Sequence, residues 1–139
     1  MDKSALRQRY RQERALLNPR GIDVDNWHHL MSCAEISNAK VIASYNSYGD
    51  EPNTEGLNQE LIKLGKVLVL PRLLSDMDLE WVVWDGDVKN LRKSRNFHEP
   101  IGEPIDKNLI EEIKETNPAF VCFNRNYKTI VTDSICFKY

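Results

Sequence analysis

Hydrophobic and polar positions in the first third of the chain repeat with the period of an α-helix. Residues 3–17 carry apolar side chains at spacings of four and seven, on one side of a helix: Leu6, Tyr10 and Leu17. The stretch "NPRG" (18–21) ends this helix with proline and glycine. Residues 24–37 show a second apolar face, formed by Trp27, Leu30, Met31 and Ala34. We therefore predict two helices before the first strand.

From residue 40 the pattern becomes that of buried strands. "KVIASY" (40–45) and "KVLVLP" (66–71) are short apolar runs rich in β-formers, and the second is nearly continuous. Between them, residues 54–65 place leucines on one helix face and end on Gly65, a typical helix stop. A strand, a helix and a strand within about 30 residues predict two neighbouring parallel strands with a right-handed crossover.

The remaining sequence continues the alternation of strands and helices. We predict a strand at 79–84 containing Trp81 and Trp84 as core residues, an irregular segment at 88–104, a helix at 106–115 and a strand at 118–123. "TIVTD" and "ICFKY" are β-like but have no predicted place in a sheet. The whole chain, 1–139, is predicted to be a single α/β domain: a three-layer open, mostly parallel sheet with helices on both faces.

Composition indicates a soluble globular protein, with 41% hydrophobic and 29% charged residues. No apolar run reaches the roughly 20 residues of a membrane span, and the N-terminus lacks an apolar signal core. We therefore expect a cytoplasmic protein without a membrane partner. The three cysteines have no metal-ligand spacing and are predicted to be reduced thiols, and the three histidines receive no role.

Basic residues follow one stripe of the first predicted helix, at spacings of four, four and three: Lys3, Arg7, Arg11 and Arg14. This stripe is either a contact for an anion or an ordinary solvated helix face. A third interpretation is an interaction module that docks an acidic partner or nucleic acid. The net charge of −2 and the lack of aromatic residues among the basic ones, apart from Tyr10, argue against nucleic acid.

The turn "SYNSYGDEPNTEG" (44–56) lies between the first strand and its crossover helix. Ligands of open parallel sheets bind beyond the carboxyl ends of the strands, which is where this turn places Glu51. Pro52 favours an extended conformation for Glu51, and Asn53 or Thr54 can cap the helix. Glu51 is either a ligand contact or a carboxylate that favours the helix N-terminus.

Four motifs, in this order, resemble those of the 5-formyltetrahydrofolate cyclo-ligase family: "KSALR", "DEPNTEGL", "GKVLVLPR" with the nearby "MDLEWV", and "RNFHEP". The resemblance covers about residues 3–118. It implies conversion of 5-formyltetrahydrofolate to 5,10-methenyltetrahydrofolate in one-carbon folate metabolism, with ATP and Mg²⁺ as cofactors. It implies no catalytic protein nucleophile and no metal ligand in the protein, because positioning and charge stabilisation supply most of this chemistry.

The same resemblance implies individual site residues. Lys3 and Arg7 match the nucleotide-contacting pair, and Glu51 matches the carboxylate that contacts the folate. The other substrate-binding positions are Arg72, where the second strand ends, and Met77, Phe97, Glu99 and Pro100. Each has a simpler alternative: a surface arginine, a methionine that fills a gap in the core, and a proline-rich surface connection.

The resemblance stops after the strand at 118–123, so we divide the chain into a family-like part, 3–123, and a divergent tail, 124–139. The family continues into a glycine-rich loop that cradles ATP phosphate, whereas the last glycine here is Gly102. We expect a C-terminally incomplete fold with weak or no activity, arising by frameshift or truncation, by degeneration to a folate-binding protein, or with sheet completion by another chain. Self-association through an exposed sheet edge is the corresponding expectation.

Overall fold

The computed structural model describes residues 2–17, 27–49, 51–76, 78–95, 97–106, 108, 111, 118–123 and 129–132. The helical elements are α1 (Lys3–Leu17), a 3₁₀ helix (His28–Ser32), α2 (Ala34–Asn38), α3 (Glu55–Lys63) and a short 3₁₀ turn (Val88–Asn90). The strands are β1 (Val41–Ala43), β2 (Val67–Leu73), β3 (Leu79–Trp84), β4 (Leu91–Ser94), β5 (Phe97–Pro100), β6 (Ala119–Phe123) and β7 (Thr129–Thr132). No helix in this described part is long and apolar enough to cross a membrane.

A mixed five-stranded sheet, ordered β3-β2-β1-β6-β7, forms the framework. The central strand β1 pairs in parallel with β2 and β6, whereas β3 and β7 pair antiparallel at the two edges. The predicted open α/β sheet and its parallel strand-helix-strand unit are therefore confirmed. The predicted helix at 106–115 lies, apart from residues 108 and 111, outside the described residues, so helical cover of the second face stays a prediction.

The core lies between α3 and one face of this sheet. Leu57 and Leu61, four residues apart on α3, are fully buried and share one cluster with Leu68 and Leu70, two residues apart on β2. Each such burial stabilises the fold by about 1.5–3 kcal/mol. The N–H of Lys66 donates to Leu61 O at 3.1 Å, and Gly65 has a φ of +83°, so the predicted glycine stop closes the helix.

The single helix predicted at 24–37 is wrong for the residues that the structure describes. The chain is instead broken at Cys33, whose φ of −79° and ψ of 143° are extended and separate the 3₁₀ helix from α2. Side chains compete for local carbonyls here: Ser32 Oγ donates to His29 O at 3.0 Å, and Cys33 Sγ lies 3.0 Å from Leu30 O. Of the predicted apolar face, Trp27 and Leu30 are buried and Met31 is half-buried, whereas Ala34 is exposed because the break turns it outward.

The prediction of an irregular segment at 88–104 is also wrong. β4 and β5 form an antiparallel hairpin in this segment, and they make a separate two-stranded sheet. The hairpin turns at Arg95, a non-glycine residue with a φ of +58°. β5 packs against β2 and β3, so the hairpin stands beside the main sheet at its carboxyl edge.

The edge strand β3 is partly covered along its outer side. The N–H of Ile105 donates to Trp81 O at 2.8 Å, which satisfies one outward-facing carbonyl of this strand. Trp84 is buried as predicted, whereas Trp81 is only half-buried. Self-association through a sheet edge stays a prediction.

Candidate functional site

A buried polar pair joins the end of β1 to the middle of α3. Ser44 Oγ donates to Asn58 Oδ1 at 2.6 Å, and Asn58 Nδ2 donates to Tyr45 O at 3.0 Å. Ser44 and Asn58 are 2% and 1% exposed, so leaving either group unpaired would carry a desolvation penalty. The pair fixes where the chain leaves the sheet.

Thr54 continues this network into the loop after β1. Its Oγ1 donates to Tyr45 O at 2.6 Å and accepts from Ser47 N at 3.2 Å, while Thr54 N donates to Ser47 Oγ at 3.1 Å. Thr54 therefore makes no side-chain cap on α3. Asn53 instead binds the first backbone N–H of the helix, because its Oδ1 accepts from Glu55 N at 2.8 Å.

Glu51 is held between a tight turn and an anchored proline. Its N–H donates to Tyr48 O at 3.2 Å across a turn that contains Gly49, whose φ is +59°. The following Pro52 is fully buried, and its carbonyl accepts from Tyr45 Oη at 2.8 Å. The N–H of Glu51 and the carbonyl of Pro52 are thus both hydrogen-bonded, and the half-buried side chain of Glu51 lies at the carboxyl edge of β1.

Glu51 lines an open cleft of about 430 Å³ between this loop, the start of α3 and the β4–β5 hairpin. The volume falls within the range of about 300–1,000 Å³ that is usual for small-molecule sites. The lining contains both polar and apolar side chains; the lining residues are Asn46, Ser47, Tyr48, Gly49, Glu51, Asn53, Glu55, Gln59, Trp84, Val88, Leu91 and His98.

The charge of the cleft is negative. Glu51 and Glu55 are its carboxylates, and no lysine or arginine occurs among the described residues that line it. The amide side chains of Asn46, Asn53 and Gln59 add further hydrogen-bonding groups to the lining. The carboxylates suit a ligand that presents N–H donors, and the apolar residues can contact a ring; the lining does not suit a phosphate.

The hairpin closes one end of the cleft. Asn46 Nδ2 lies 3.4 Å from His98 O, and the rings of Tyr48 and Phe97 have centroids 5.6 Å apart. Phe97 lies beside the cleft, next to its lining residue His98, and its contact with a substrate stays a prediction. Sequence reasoning gave His98 no role, although it lies inside the motif "RNFHEP".

Arg72 and Glu99 lie at the same carboxyl edge but do not line the cleft. Arg72 Nε lies 2.5 Å from Glu80 Oε1, and Arg72 Nη1 donates to Pro100 O at 3.1 Å and to Gly102 O at 2.9 Å. Glu99 is 2% exposed, and its Oε2 accepts from Leu73 N at 2.6 Å. These contacts are internal to the fold.

Pro100 is fully buried, and its carbonyl is one of the acceptors used by Arg72. β2 does not end at Pro71-Arg72 as predicted, but runs on to Leu73. The reason is that the antiparallel partner β3 supports β2 to its end, with Arg72 opposite Glu80 and Leu73 opposite Leu79.

The remaining predicted residues are not brought to the cleft by the described structure. Lys3 and Arg7 are exposed on α1 and are absent from the cleft lining. Met77 lies outside the described residues. In the described part of the chain, no group of three or more histidine, cysteine, aspartate or glutamate residues is arranged to hold a metal ion.

Sequence reasoning missed Ser44, Tyr48 and Asn58. Asn58 follows Leu57 on the buried side of α3, and a polar side chain at a core position is a signal that could have identified it. Tyr48 lies within the turn that carries Glu51, yet its ring contact with Phe97 joins residues 49 positions apart and leaves no local pattern.

Comparison with known proteins gives two findings. The model of the 5-formyltetrahydrofolate cyclo-ligase family matches residues 1–121. Among solved structures, the chain is similar to the NMR structure of 5,10-methenyltetrahydrofolate synthetase from Aquifex aeolicus, with a TM-score of 0.56 and 23% sequence identity. That match covers 76% of this chain and 55% of the Aquifex chain, so this chain spans about half of that protein. No curated protein matches the sequence.

Proposed function

The chain belongs to the 5-formyltetrahydrofolate cyclo-ligase family, and from this premise we propose that it binds 5-formyltetrahydrofolate in the cleft beside Glu51. The reaction proposed for the family fold is the ATP-dependent cyclisation of this substrate to 5,10-methenyltetrahydrofolate, and these 139 residues are proposed to supply its folate site. The observation that carries the proposal is the position of Glu51, in the loop after β1 at the carboxyl edge of that strand, where it lines a cleft of about 430 Å³.

The chemistry of the cleft supports a pterin as the bound group. A pterin ring has amino and ring N–H donors on one edge and two apolar faces. The Glu51 carboxylate can accept from such donors, and charge-assisted bonds of this kind are stronger than neutral ones. Trp84, Val88 and Leu91 give the ring an apolar wall. Tyr48 and Phe97 lie where the ring would enter.

The nucleotide is proposed to bind outside this cleft. In the proposed reaction the formyl oxygen takes the terminal phosphoryl group of ATP. The folate N10 then attacks the activated carbon, and phosphate leaves. Phosphates need cations and N–H donors, and the cleft is lined by carboxylates. We assign the nucleotide contact to Lys3 and Arg7, exposed cations of α1.

We propose Mg²⁺ as a cofactor on the ground of family membership alone. The described residues contain no cluster that would hold the ion, so no protein ligand is assigned to it in this part of the chain. A cytoplasmic location and the absence of a membrane partner are proposed on the same footing; among the described residues there is no membrane-spanning helix.

Calorimetric titration with 5-formyltetrahydrofolate tests the proposed function. We expect saturable binding at one site per chain, together with a rise in melting temperature, because a ligand that binds only the folded state stabilises it. Titration with p-aminobenzoylglutamate, the part of the substrate that lacks the pterin, serves as the control and should show no saturable binding. Absence of folate binding, with salt-dependent binding of RNA instead, would overturn the proposal in favour of an interaction module built on α1.

A further inference from the structure

β2 extends beyond its parallel neighbour, which leaves part of one flank unpaired. β1 ends at Ala43, opposite Val69, whereas β2 continues to Leu73. Ser44 N donates to Val69 O at 3.0 Å, so the backbone of Val69 faces the β1 side. Because backbone groups alternate along a strand, Pro71 and Leu73 face this same side.

The two residues on the unpaired flank are treated differently. Pro71 has no N–H and therefore needs no acceptor. Leu73 does have one, and it is the donor that Glu99 Oε2 accepts at 2.6 Å. The next residue, Leu74, donates to Asp78 O at 2.8 Å on the β3 side, which confirms the alternation. Glu99 of β5 thus takes the place that a longer β1 would occupy.

Arg72 makes the reverse connection. Its guanidinium extends from β2 to the carbonyls of Pro100 and Gly102, immediately after Glu99. Neighbouring residues of β2 and of the β5 end therefore exchange side-chain-to-backbone hydrogen bonds in both directions. We call these bonds of Arg72 and Glu99 the clasp. Both side chains are largely buried, Arg72 carries a permanent charge, and hydrogen bonds to charged groups are among the stronger ones.

We propose that the clasp positions the hairpin wall of the cleft, and that Arg72 and Glu99 act through this wall without touching the folate. This inference rests on the proposed function for its ligand. The hairpin contributes Leu91 and His98 to the cleft and Phe97 to the ring contact with Tyr48. Pro100 is the cross-strand partner of Leu91, so fixing the β5 end fixes that lining residue as well.

A single substitution of Glu99 can distinguish two roles: holding the hairpin wall in position, and binding the ligand directly. An amide oxygen can accept from Leu73 N as a carboxylate does, so Glu99→Gln should preserve the clasp, whereas Glu99→Ala should release it. A carboxylate that binds the ligand directly would be sensitive to both changes. Arg72→Gln should release the wall from the other side, because a neutral amide cannot reproduce the guanidinium fork.

The first measurement uses the unliganded 139-residue protein and NMR. In Glu99→Ala and Arg72→Gln we expect faster exchange of the Leu73 amide and loss of the cross-peak between the Tyr48 and Phe97 rings. Glu99→Gln and the control Arg92→Ala should keep both signals; Arg92 is exposed and lies opposite Glu99 in the hairpin ladder. If Glu99→Ala does not fold, Arg72→Lys takes its place as the variant that should release the clasp, because lysine lacks the guanidinium fork. An unchanged ring cross-peak in the releasing variants would overturn the proposal.

The second measurement is the affinity for 5-formyltetrahydrofolate well below the melting temperature, where every variant is folded. We expect Glu99→Ala and Arg72→Gln each to weaken binding about tenfold, as the loss of one charged hydrogen bond would. The double variant should weaken it by less than the product of the two, since both residues hold one wall. Loss of affinity in Glu99→Gln with an intact ring cross-peak would show direct ligand contact instead. If the parent protein binds no folate, the proposed function fails, and the first measurement still decides the role of the clasp.

Discussion

Tyr48 and Phe97 join the two walls of the cleft through their rings, which have centroids 5.6 Å apart and planes inclined by 36°. Tyr48 belongs to the loop that carries Glu51, and Phe97 begins β5. Their contact is therefore a direct link between the carboxylate side and the hairpin side of the proposed folate site. Tyr48 remains 43% exposed, so a ligand ring can still reach it.

Removing one ring of this pair should weaken folate binding without unfolding the protein. An aromatic pair contributes about 0.5–1.5 kcal/mol beyond the area it buries, so Tyr48→Ala should weaken the affinity for 5-formyltetrahydrofolate roughly two- to tenfold. Tyr48→Phe keeps the ring and should bind as the parent does. Calorimetric titration gives both values, and equal affinity in Tyr48→Ala would exclude the ring pair from the site.

Glu51→Gln should reduce folate affinity strongly and leave the unliganded melting temperature nearly unchanged. The substitution removes the charge that strengthens hydrogen bonds to the pterin N–H groups, a loss of about 1.5–3 kcal/mol or roughly 10- to 150-fold in affinity. Glu60→Gln makes the same chemical change on α3 at a residue that does not line the cleft. A Glu51 variant that binds as well as Glu60→Gln would identify Glu51 as a helix-start charge only.

Asn58→Ala should lower the stability of the protein. The change leaves Ser44 Oγ without its acceptor and removes one of the two donors to Tyr45 O, which keeps Thr54 Oγ1. An unpaired buried polar group costs about 1–3 kcal/mol. Urea denaturation should show a lower midpoint with an unchanged slope. Asn38→Ala, at an exposed position of α2, is the control and should unfold like the parent. An unchanged midpoint in Asn58→Ala would mean that water replaces the missing amide.

Replacing Lys3 and Arg7 together should weaken ATP binding and leave folate binding unchanged. Each hydrogen bond between a charged side chain and phosphate is expected to contribute about 1.5–3 kcal/mol, so the double alanine variant should lose at least tenfold in nucleotide affinity. Arg9→Ala is the matched control on α1, because Arg9 Nε is already bonded to Glu13 Oε1 at 2.9 Å. Nucleotide affinity that is equally sensitive to Arg9 would indicate a general charge effect.

A polypeptide of these 139 residues should show little or no cyclisation activity. Residues 103–139 contain no glycine, and a phosphate-cradling loop needs glycine for close backbone approach. One well-placed stabilising donor contributes about 2.7–4 kcal/mol to the transition state, and such a loop supplies several. The assay follows the near-ultraviolet absorbance of 5,10-methenyltetrahydrofolate with ATP and Mg²⁺. Robust turnover that disappears in Lys3→Ala would show that other residues supply these contacts.

The sheet and its parallel crossover were predictable because their signals are local. The apolar runs of β1 and β2 and the leucine period of α3 each lie within a few consecutive residues. The β4–β5 hairpin was missed because its sequence, "LRKSRNFHEP", is polar and basic and contains a proline. It packs through only a few buried groups, of which Glu99 is charged.

The sequence could predict only those parts of the candidate site whose location follows from their order along the chain. Glu51 follows a parallel strand, and that fact alone places it at the carboxyl edge. The partners of Arg72 are Glu80 and two carbonyls 28 and 30 residues away, and no local pattern announces them. Residue type suggested that Arg72 faces an anion of the ligand, whereas the fold uses its charge internally.

Pro71 also determines whether another strand can pair with the edge of β2. An incoming peptide adds to a sheet by accepting hydrogen bonds from exposed backbone donors. On the flank beyond β1, Pro71 has no donor to offer, and the amide of Leu73 is already taken by Glu99. A strand from another chain would therefore find neither of these two backbone donors available on this flank. A proline without an N–H, next to an amide that is already bonded, thus disfavours the addition of another strand along this flank of β2.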